Sequence, residues 1–302
     1  MHIHDATATA ALLPFERLVP AMAQAMQDLH SGLIHARQRT VLPLPEGGTY
    51  LAMPCADARY AVTKLVAITP ANRHQGLPTL QGRVIVNDAR HGTPLAVLDG
   101  PELTARRTAA VTLLGINTLT RQTPTRIALV GTGAQARMHA LAMAELWPGV
   151  ALRSVGRPPA QSEQFVAHLK AQHPTLNICA LPLEHALHEA CVVVTATTSL
   201  SAVLPEAADA IDPSTLIVGV GSFTPQMAEL PARAIQTRQV WVDDWDGAQH
   251  EAGDLLQAKV NWRTVRPLHE ALAQPQLPQA PMLLKTVGHA AWDLAAVRVA
   301  LN

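Results

Sequence analysis

Residues 126–139 read RIALVGTGAQARMH: an apolar run broken by Gly131-Thr132-Gly133-Ala134-Gln135-Ala136, then a helical pattern. GTGAQA fits the G-x-G-x-x-G/A fingerprint of a strand-to-helix turn that holds a dinucleotide. The first glycine permits the tight turn, the second lets the backbone approach a pyrophosphate, and the small Ala136 lets helix and strand pack closely. Free N–H groups at the helix start then present partial positive charge to the phosphates. The hexapeptide closes an apolar strand and opens a helix, which is the context the motif requires.

The rhythm downstream is strand–helix–strand. VALRSV (150–155), LNICAL (176–181), CVVVTA (191–196), TLIVGVG (215–221) and QVWVDD (239–244) read as strands, with helices through about Trp147, around 161–171 and in PLEHALHEA. Apolar strands alternating with helices predict a parallel sheet covered on both faces. Upstream the pattern differs. A helix over 14–31 ends at Gly32, and RTVLPL, TYLAMP, YAVTKLVAI, GRVIVND and PLAVLDG then read as short strands before a helix over 103–119. The expected fold is therefore α/β, a Rossmann-type doubly wound parallel sheet with a separate α+β domain before it. AQPQLPQAP (273–281) reads as a connector, and KTVGHAAWDLAAVRVAL as a closing helix.

The second strand of a dinucleotide unit normally ends in an acid that grips the adenosine ribose of NAD. VALRSV instead runs into Gly156-Arg157-Pro158-Pro159. One opposed charge pair at ~4 Å is worth roughly 4 kcal/mol before desolvation at an effective dielectric of about 20. The missing acid and Arg157 together predict NADPH, with NADH as a weaker partner.

Lys plus Arg equals Asp plus Glu at 23 each, so no basic excess points to nucleic acid or a membrane surface. Cys55, Cys179 and Cys191 stand among small or apolar residues outside any CxxC pair and read as buried free thiols. His2-x-His4 has no partner cluster, so no metal site is expected. No run approaches the ~20 apolar residues of a membrane span and no basic segment precedes the first apolar run, which together predict a cytoplasmic protein.

LTARRTAAVTLLG, preceded by GTPLAVLDG and followed by GTGAQA, resembles the ornithine cyclodeaminase/μ-crystallin family. The likeness continues through YAVTKLVAITP, GLPTLQGRVIVND, GVGSFTPQMAEL, DGAQHEAGDLL and LLKTVGHAAWD. It implies a discontinuous substrate-binding and dimerisation domain over 1–118, completed by 282–302, around a Rossmann domain over 119–281. It also implies a homodimer formed by the strands before residue 100. Carried over residue by residue, Arg39, Lys64 and Arg107 would clamp a substrate carboxylate, and Glu251 would face the substrate. A planar guanidinium holds a carboxylate through two parallel N–H bonds, and lysine adds a mobile point charge. The same likeness places Thr79, Arg107, Gly131, Thr132, Gly133, Ala134, Gln135, Arg157, Thr197, Val220 and Thr286 at the cofactor.

Within that likeness one departure matters. Cyclodeaminases of the family hold an aspartate two residues past the second glycine of the stretch matching GVGSFTPQMAEL; here Phe223 stands there, with no carboxylate before Glu229. The glutamate of the stretch matching LAMP is replaced by Leu51. Losing a positioned base forfeits ~10²–10⁴ in rate, so ammonia-releasing ring closure is disfavoured. Reduction of a preformed cyclic imine needs no such base, and Phe223 or Met227 would wall the ring. GSFTPQMAEL is most similar to the branch that reduces Δ1-pyrroline-2-carboxylate and Δ1-piperideine-2-carboxylate to L-proline and L-pipecolate, often in hydroxyproline breakdown. Lys64 is the expected catalytic residue, as proton donor to the imine unless the substrate enters as the iminium, with its proton affinity lowered by Arg39 and Arg107. The competing readings are an alanine-type amino-acid dehydrogenase, then an ornithine cyclodeaminase, then a non-catalytic NADPH-dependent binder of small ligands.

Overall fold

The computed structural model describes residues 1–302 apart from Arg121, Ala208, Asp209, Pro275, Leu277 and Pro278, with the side chain of Arg73 also excepted. The strands are β1 His2–Ile3, β2 His35–Ala36, β3 Thr40–Pro43, β4 Thr49–Ala56, β5 Tyr60–Ile68, β6 Leu80–Asp88, β7 Pro94–Asp99, β8 Arg126–Val130, β9 Ala151–Val155, β10 Ile178–Ala180, β11 Val192–Thr195, β12 Leu216–Gly219, β13 Gln239–Val242, β14 Arg266–Pro267 and β15 Met282–Lys285. The α-helices are α1 Ala6–Ala11, α2 Phe15–His30, α3 Gly100–Thr120, α4 Ala134–Leu146, α5 Pro159–Gln172, α6 Leu183–Leu187, α7 Ala232–Thr237, α8 Trp245–Glu251, α9 Gly253–Gln257, α10 Leu268–Ala273 and α11 Ala290–Ala300. The chain divides into two compact units, residues 1–110 with 289–302, and residues 111–288.

In the first unit, β4 to β7 form an antiparallel meander, extended by β1 parallel to β7 and by β2 and β3 on β4. Side chains alternate across a strand. On β5 this buries Tyr60, Val62, Lys64 and Val66 and leaves Ala61, Thr63, Leu65 and Ala67 half-buried on the other face. Helix α11 packs on β4 and β5 and against α2. Phe15, Leu18, Val19, Met22, Ala25 and Met26 supply the buried stripe of α2 at helical spacing. Arg298 of α11 ties this layer down through Asp57 at 2.7 Å and Asp28 of α2.

The second unit holds an all-parallel sheet in the order β10-β9-β8-β11-β12-β15-β13-β14. β11 and β12 are buried at every residue, as a sheet covered on both faces requires. The direction of winding reverses between β8 and β11. Strand β15 enters between β12 and β13.

Three sequence expectations need correction. The boundary falls inside α3 rather than after residue 118, because from Val111 the helix packs with the parallel sheet unit; Thr112, for example, bonds His139 of α4. Residues 282–288 belong to the parallel sheet unit, where β15 pairs with β12 and β13, and the closing helix starts only at Ala290. Lys285 is thus a strand residue, and Gly288 at φ 82° breaks the helical pattern expected across it. Cys55 is buried as expected, whereas Cys179 on the outermost strand β10 is exposed and Cys191 is half-buried. The proline-rich connector spans Pro275, Leu277 and Pro278, which lie outside the described residues. Its first residue, Ala273, ends α10.

His139 is fully buried, its Nδ1 2.8 Å from the Gln135 carbonyl and its Nε2 2.9 Å from Thr112 Oγ1. A carbonyl only accepts, so Nδ1 carries the proton and Nε2 accepts from the threonine hydroxyl. Burial depresses its pKa to about 4, the bond to Gln135 opposing in part. The unfolded chain, at about 6.5, binds the proton first, so this group's stabilisation is complete above about pH 6.5 and is lost as pH falls toward 4. Urea titrations at pH 7 and pH 4.5 should show a loss about 2 kcal/mol smaller in His139→Gln than in the wild type. Equal losses would refute the assignment.

Candidate active site

The glycine loop forms as the sequence predicts. β8 ends at Val130, Gly131 takes φ 123°, and α4 starts at Ala134 with Gly133 as its N-cap. A Cβ on Gly131 would stand 2.5 Å from the Ala196 carbonyl oxygen, so only glycine fits where the loop crosses the end of β11. A Cβ on Gly133 would meet nothing within 4 Å, and no side chain caps α4. No side chain thus occupies the first-turn N–H groups that a pyrophosphate would use.

A cleft of about 400 Å³ opens here, lined by Gly131, Thr132, Gly133, Arg157 and Thr197, with Gln161 from α5. It lies at the carboxyl ends of β8, β9 and β11, where the sheet reverses its winding; in open α/β sheets that is where a dinucleotide sits. These residues fit such a cofactor. Gly156 follows β9, where an NAD-binding acid would stand, and a Cβ there would lie 2.9 Å from both Ser162 N and Thr132 Cγ2. Arg157 beside it is exposed, so the charge it presents at this edge is screened by solvent.

Ala134 and Gln135 open α4. Val220 directly follows β12 and donates its N–H to Thr195 O at 2.9 Å, and Thr286 directly follows β15 and donates to Gly219 O at 3.0 Å. Both stand at the carboxyl edge of the sheet, and neither lines the 400 Å³ cleft. Glu251 is the last residue of α8. Thr79 and Arg107 belong to the other unit, Thr79 exposed just before β6.

The loops at this edge are held by buried charges that the motif reading did not single out. The Glu229 carboxylate accepts from the backbone N–H of Thr197, of Gly221 at 2.6 Å and of Ser222 at 3.2 Å. Asp254 Oδ1 accepts from the N–H of Glu229 and of Leu230, the latter at 2.8 Å. Lys285 Nζ lies 3.6 Å from Asp254 Oδ2 and donates to the carbonyls of Gly219 and Thr286. Burial raises the Glu229 pKa, and Lys285 and the Thr197 bond oppose that rise. Asp243 accepts from the N–H of Val287 and Gly288 at 2.8 and 2.9 Å.

The first unit carries the cations. Alternation along β5 puts Lys64 on the buried face, 2% exposed, rather than in water. Its Nζ lies 2.9 Å from Asp293 Oδ2 and donates to Oδ1 at 3.1 Å; Arg107 Nε donates to the same Oδ1 at 3.1 Å. Burial lowers the Lys64 pKa to about 8; the Asp293 charge opposes the fall, and Arg107, then Arg39, add to it. Arg39, half-buried ahead of β3, is thus within electrostatic reach. Two cations against one carboxylate leave one positive charge before Arg39 is counted, an arrangement suited to a small monoanion. Asp293 is absent from the expected site. Its signal was an acid amid AAWDLAAV, an otherwise apolar helix turn. Of the two proposed ring walls, Phe223 is 37% exposed after β12, whereas Met227 is buried. Among the described residues, no three His, Cys, Asp or Glu side chains gather to hold a metal, and no helix is long and apolar enough to cross a membrane.

Known proteins resemble this chain in sequence and in fold. The chain is 44% identical over 300 residues to Delta(1)-pyrroline-2-carboxylate reductase 1 of Burkholderia multivorans, covering 99% of this chain and 94% of that protein. It is 43% identical, over the same shares, to the Delta(1)-pyrroline-2-carboxylate/Delta(1)-piperideine-2-carboxylate reductase of Azospirillum brasilense. The Δ1-pyrroline-2-carboxylate reductase of Thermococcus litoralis, solved with NADH and L-proline, has the same fold at TM-score 0.89 and 22% identity, over 99% of this chain and 96% of that one. An archaeal alanine dehydrogenase dimer with bound NAD superposes at TM-score 0.88 and 23% identity, over 99% and 94%. The sequence profile that matches residues 2–279 agrees with both units: this chain belongs to the ornithine cyclodeaminase/mu-crystallin family.

Proposed function

We propose that the protein reduces cyclic imino acids, converting Δ1-pyrroline-2-carboxylate to L-proline and Δ1-piperideine-2-carboxylate to L-pipecolate with NADPH. The observation that carries this reading is the fate of the acids. Phe223 stands where a cyclodeaminase would place its aspartate, and the next carboxylate, Glu229, is buried and committed to three backbone N–H groups. A preformed imine needs neither acid. Two of its relatives at 43–44% identity carry the names of reductases for these imines.

In this reading Lys64, Arg107 and Arg39 hold the substrate carboxylate. Orientation of this kind supplies much of the rate when the electrophile arrives ready-made. NADPH, when bound on the GTGAQA loop, supplies the hydride. Lys64, with a pKa of about 8, is mostly protonated at neutral pH yet able to release its proton. The dinucleotide would rest on Gly131, Thr132, Gly133, Ala134 and Gln135, with Arg157 at the 2′-phosphate and Thr197, Val220 and Thr286 along the sheet edge. Glu251 would face the substrate. We assign the enzyme to the cytoplasm, where NADPH is plentiful, and to a homodimer. The half-buried outer face of the meander, with Ala61, Leu65, Ala67, Ile85 and Val97, supports the dimer. A place in hydroxyproline breakdown follows if Δ1-pyrroline-2-carboxylate is the substrate in the cell.

Loss of NADPH absorbance should be fast with both cyclic imines and negligible with pyruvate plus ammonia. Oxidation with pyruvate and ammonia alone would make the protein an amino-acid dehydrogenase. Lys64→Met should lower kcat/KM for the imines by about 10²-fold or more; full turnover with an unchanged pH profile would exclude Lys64 as donor. Arg157→Ala should raise the KM for NADPH about fivefold and leave that for NADH unchanged. An equal change in both would remove the assignment of Arg157 to the 2′-phosphate.

A further inference from the structure

Asp293 has no role in the reaction as described, yet it is fully buried and joins both principal cations of the cluster. It comes from α11, whereas Lys64 comes from β5 and Arg107 from α3. A buried carboxylate is costly unless its partners are close and well aimed, and here one oxygen, Oδ1, takes a hydrogen bond from each cation at 3.1 Å. Fixing two flexible side chains on one anchor removes rotamer freedom that substrate binding would otherwise have to remove.

Building on the imine-reductase reading, we infer that Asp293 is a positioning residue, which holds Lys64 and Arg107 in one geometry and cancels one of their charges, so that the cluster accepts a single substrate carboxylate. Its second effect is on the proton at Lys64. Four groups act on that amine: Asp293 of α11, Arg107 of α3, Arg39 ahead of β3, and the Cys55 thiol of β4. Asp293 alone among them carries a negative charge at neutral pH, because the Cys55 thiol is pushed well above its usual range by burial and by Asp293 itself. Asp293 therefore keeps the buried amine charged near neutrality. Cys55 in turn donates to the Ala290 carbonyl at 3.1 Å, in the first turn of the helix that carries Asp293.

The chain has four lysines, Lys64, Lys170, Lys259 and Lys285, so ¹³C-lysine labelling of the whole protein gives a resolvable set of side-chain signals, with Lys64→Met assigning the one of interest. In the wild type Lys64 should titrate near pH 8. In Asp293→Asn, which keeps the shape and one acceptor, it should titrate at least about one pH unit lower, and the alkaline limb of kcat/KM for Δ1-pyrroline-2-carboxylate should move with it. A loss of activity uniform across pH, with the Lys64 titration unmoved, would reduce Asp293 to a structural residue and overturn the inference. If Asp293→Asn does not fold, Arg107→Gln serves instead. Removing Arg107 takes away a like charge and leaves Asp293 to Lys64 alone, so the Lys64 titration point should rise, and an unmoved titration would again overturn the inference. Should the wild type reduce no cyclic imine while the Lys64 titration still shifts, the functional reading falls and the role of Asp293 toward Lys64 stands.

Discussion

A charge taken out of water must find its counter-charge and hydrogen bonds inside the protein, or lose its ionisation. At the carboxyl edge of the parallel sheet this constraint governs how the loops run. Glu229, Asp254 and Lys285 are all buried, and they satisfy one another through the backbone as much as directly. Lys285 reaches the carbonyls after β12 and β15, Glu229 gathers the N–H groups after β11 and β12, and Asp254 caps the N–H groups of Glu229 and Leu230. Loop backbone that would otherwise expose unpaired polar groups is thereby fixed where a dinucleotide needs a rigid rim. Glu229 thus has a task that is incompatible with serving as a mobile base.

The same economy of charge appears in the other unit, with the opposite sign left over. One carboxylate stands against two near cations, and Arg39 adds a third positive charge within reach. Excess positive charge on a buried face is unfavourable for the protein alone and becomes favourable when an anion arrives. That balance suits a small anion.

The sheet units were legible because their periodicities are strong. Tyr60–Ile68 and Arg126–Val130 form strands over the residues the sequence pattern marked, and the glycine loop turns where GTGAQA places it. β15 was not legible. Four residues after a proline-rich stretch carry no period of their own, and their strand character comes from the slot between β12 and β13. Lys64 was ambiguous for a related reason: alternation says that a residue shares a face with Val62 and Val66, and only the packing of α11 says which face is buried. Asp293, Asp254 and Lys285 escaped notice because their partners are far away in sequence, 229 residues in the case of Lys64 and Asp293. Spacing rules register neighbours along the chain and are blind to pairs that only the fold assembles.

The discontinuity of the first unit has a consequence for the order in which the site comes into being. A chain emerging from the ribosome completes β5 and most of α3 early, then the entire parallel sheet unit, and only afterwards α11 with Asp293 and Arg298. Domains tend to fold as they emerge, but this one waits. Until α11 arrives, Lys64 and Arg107 lack their shared anion, Asp28 and Asp57 lack Arg298, and the inner faces of β4 and β5 lack their cover. The charge cluster of Lys64, Arg107 and Asp293 is therefore among the last parts of the molecule to mature. A truncation that removes α11 would dismantle that charge cluster while leaving the sequence of the glycine loop untouched.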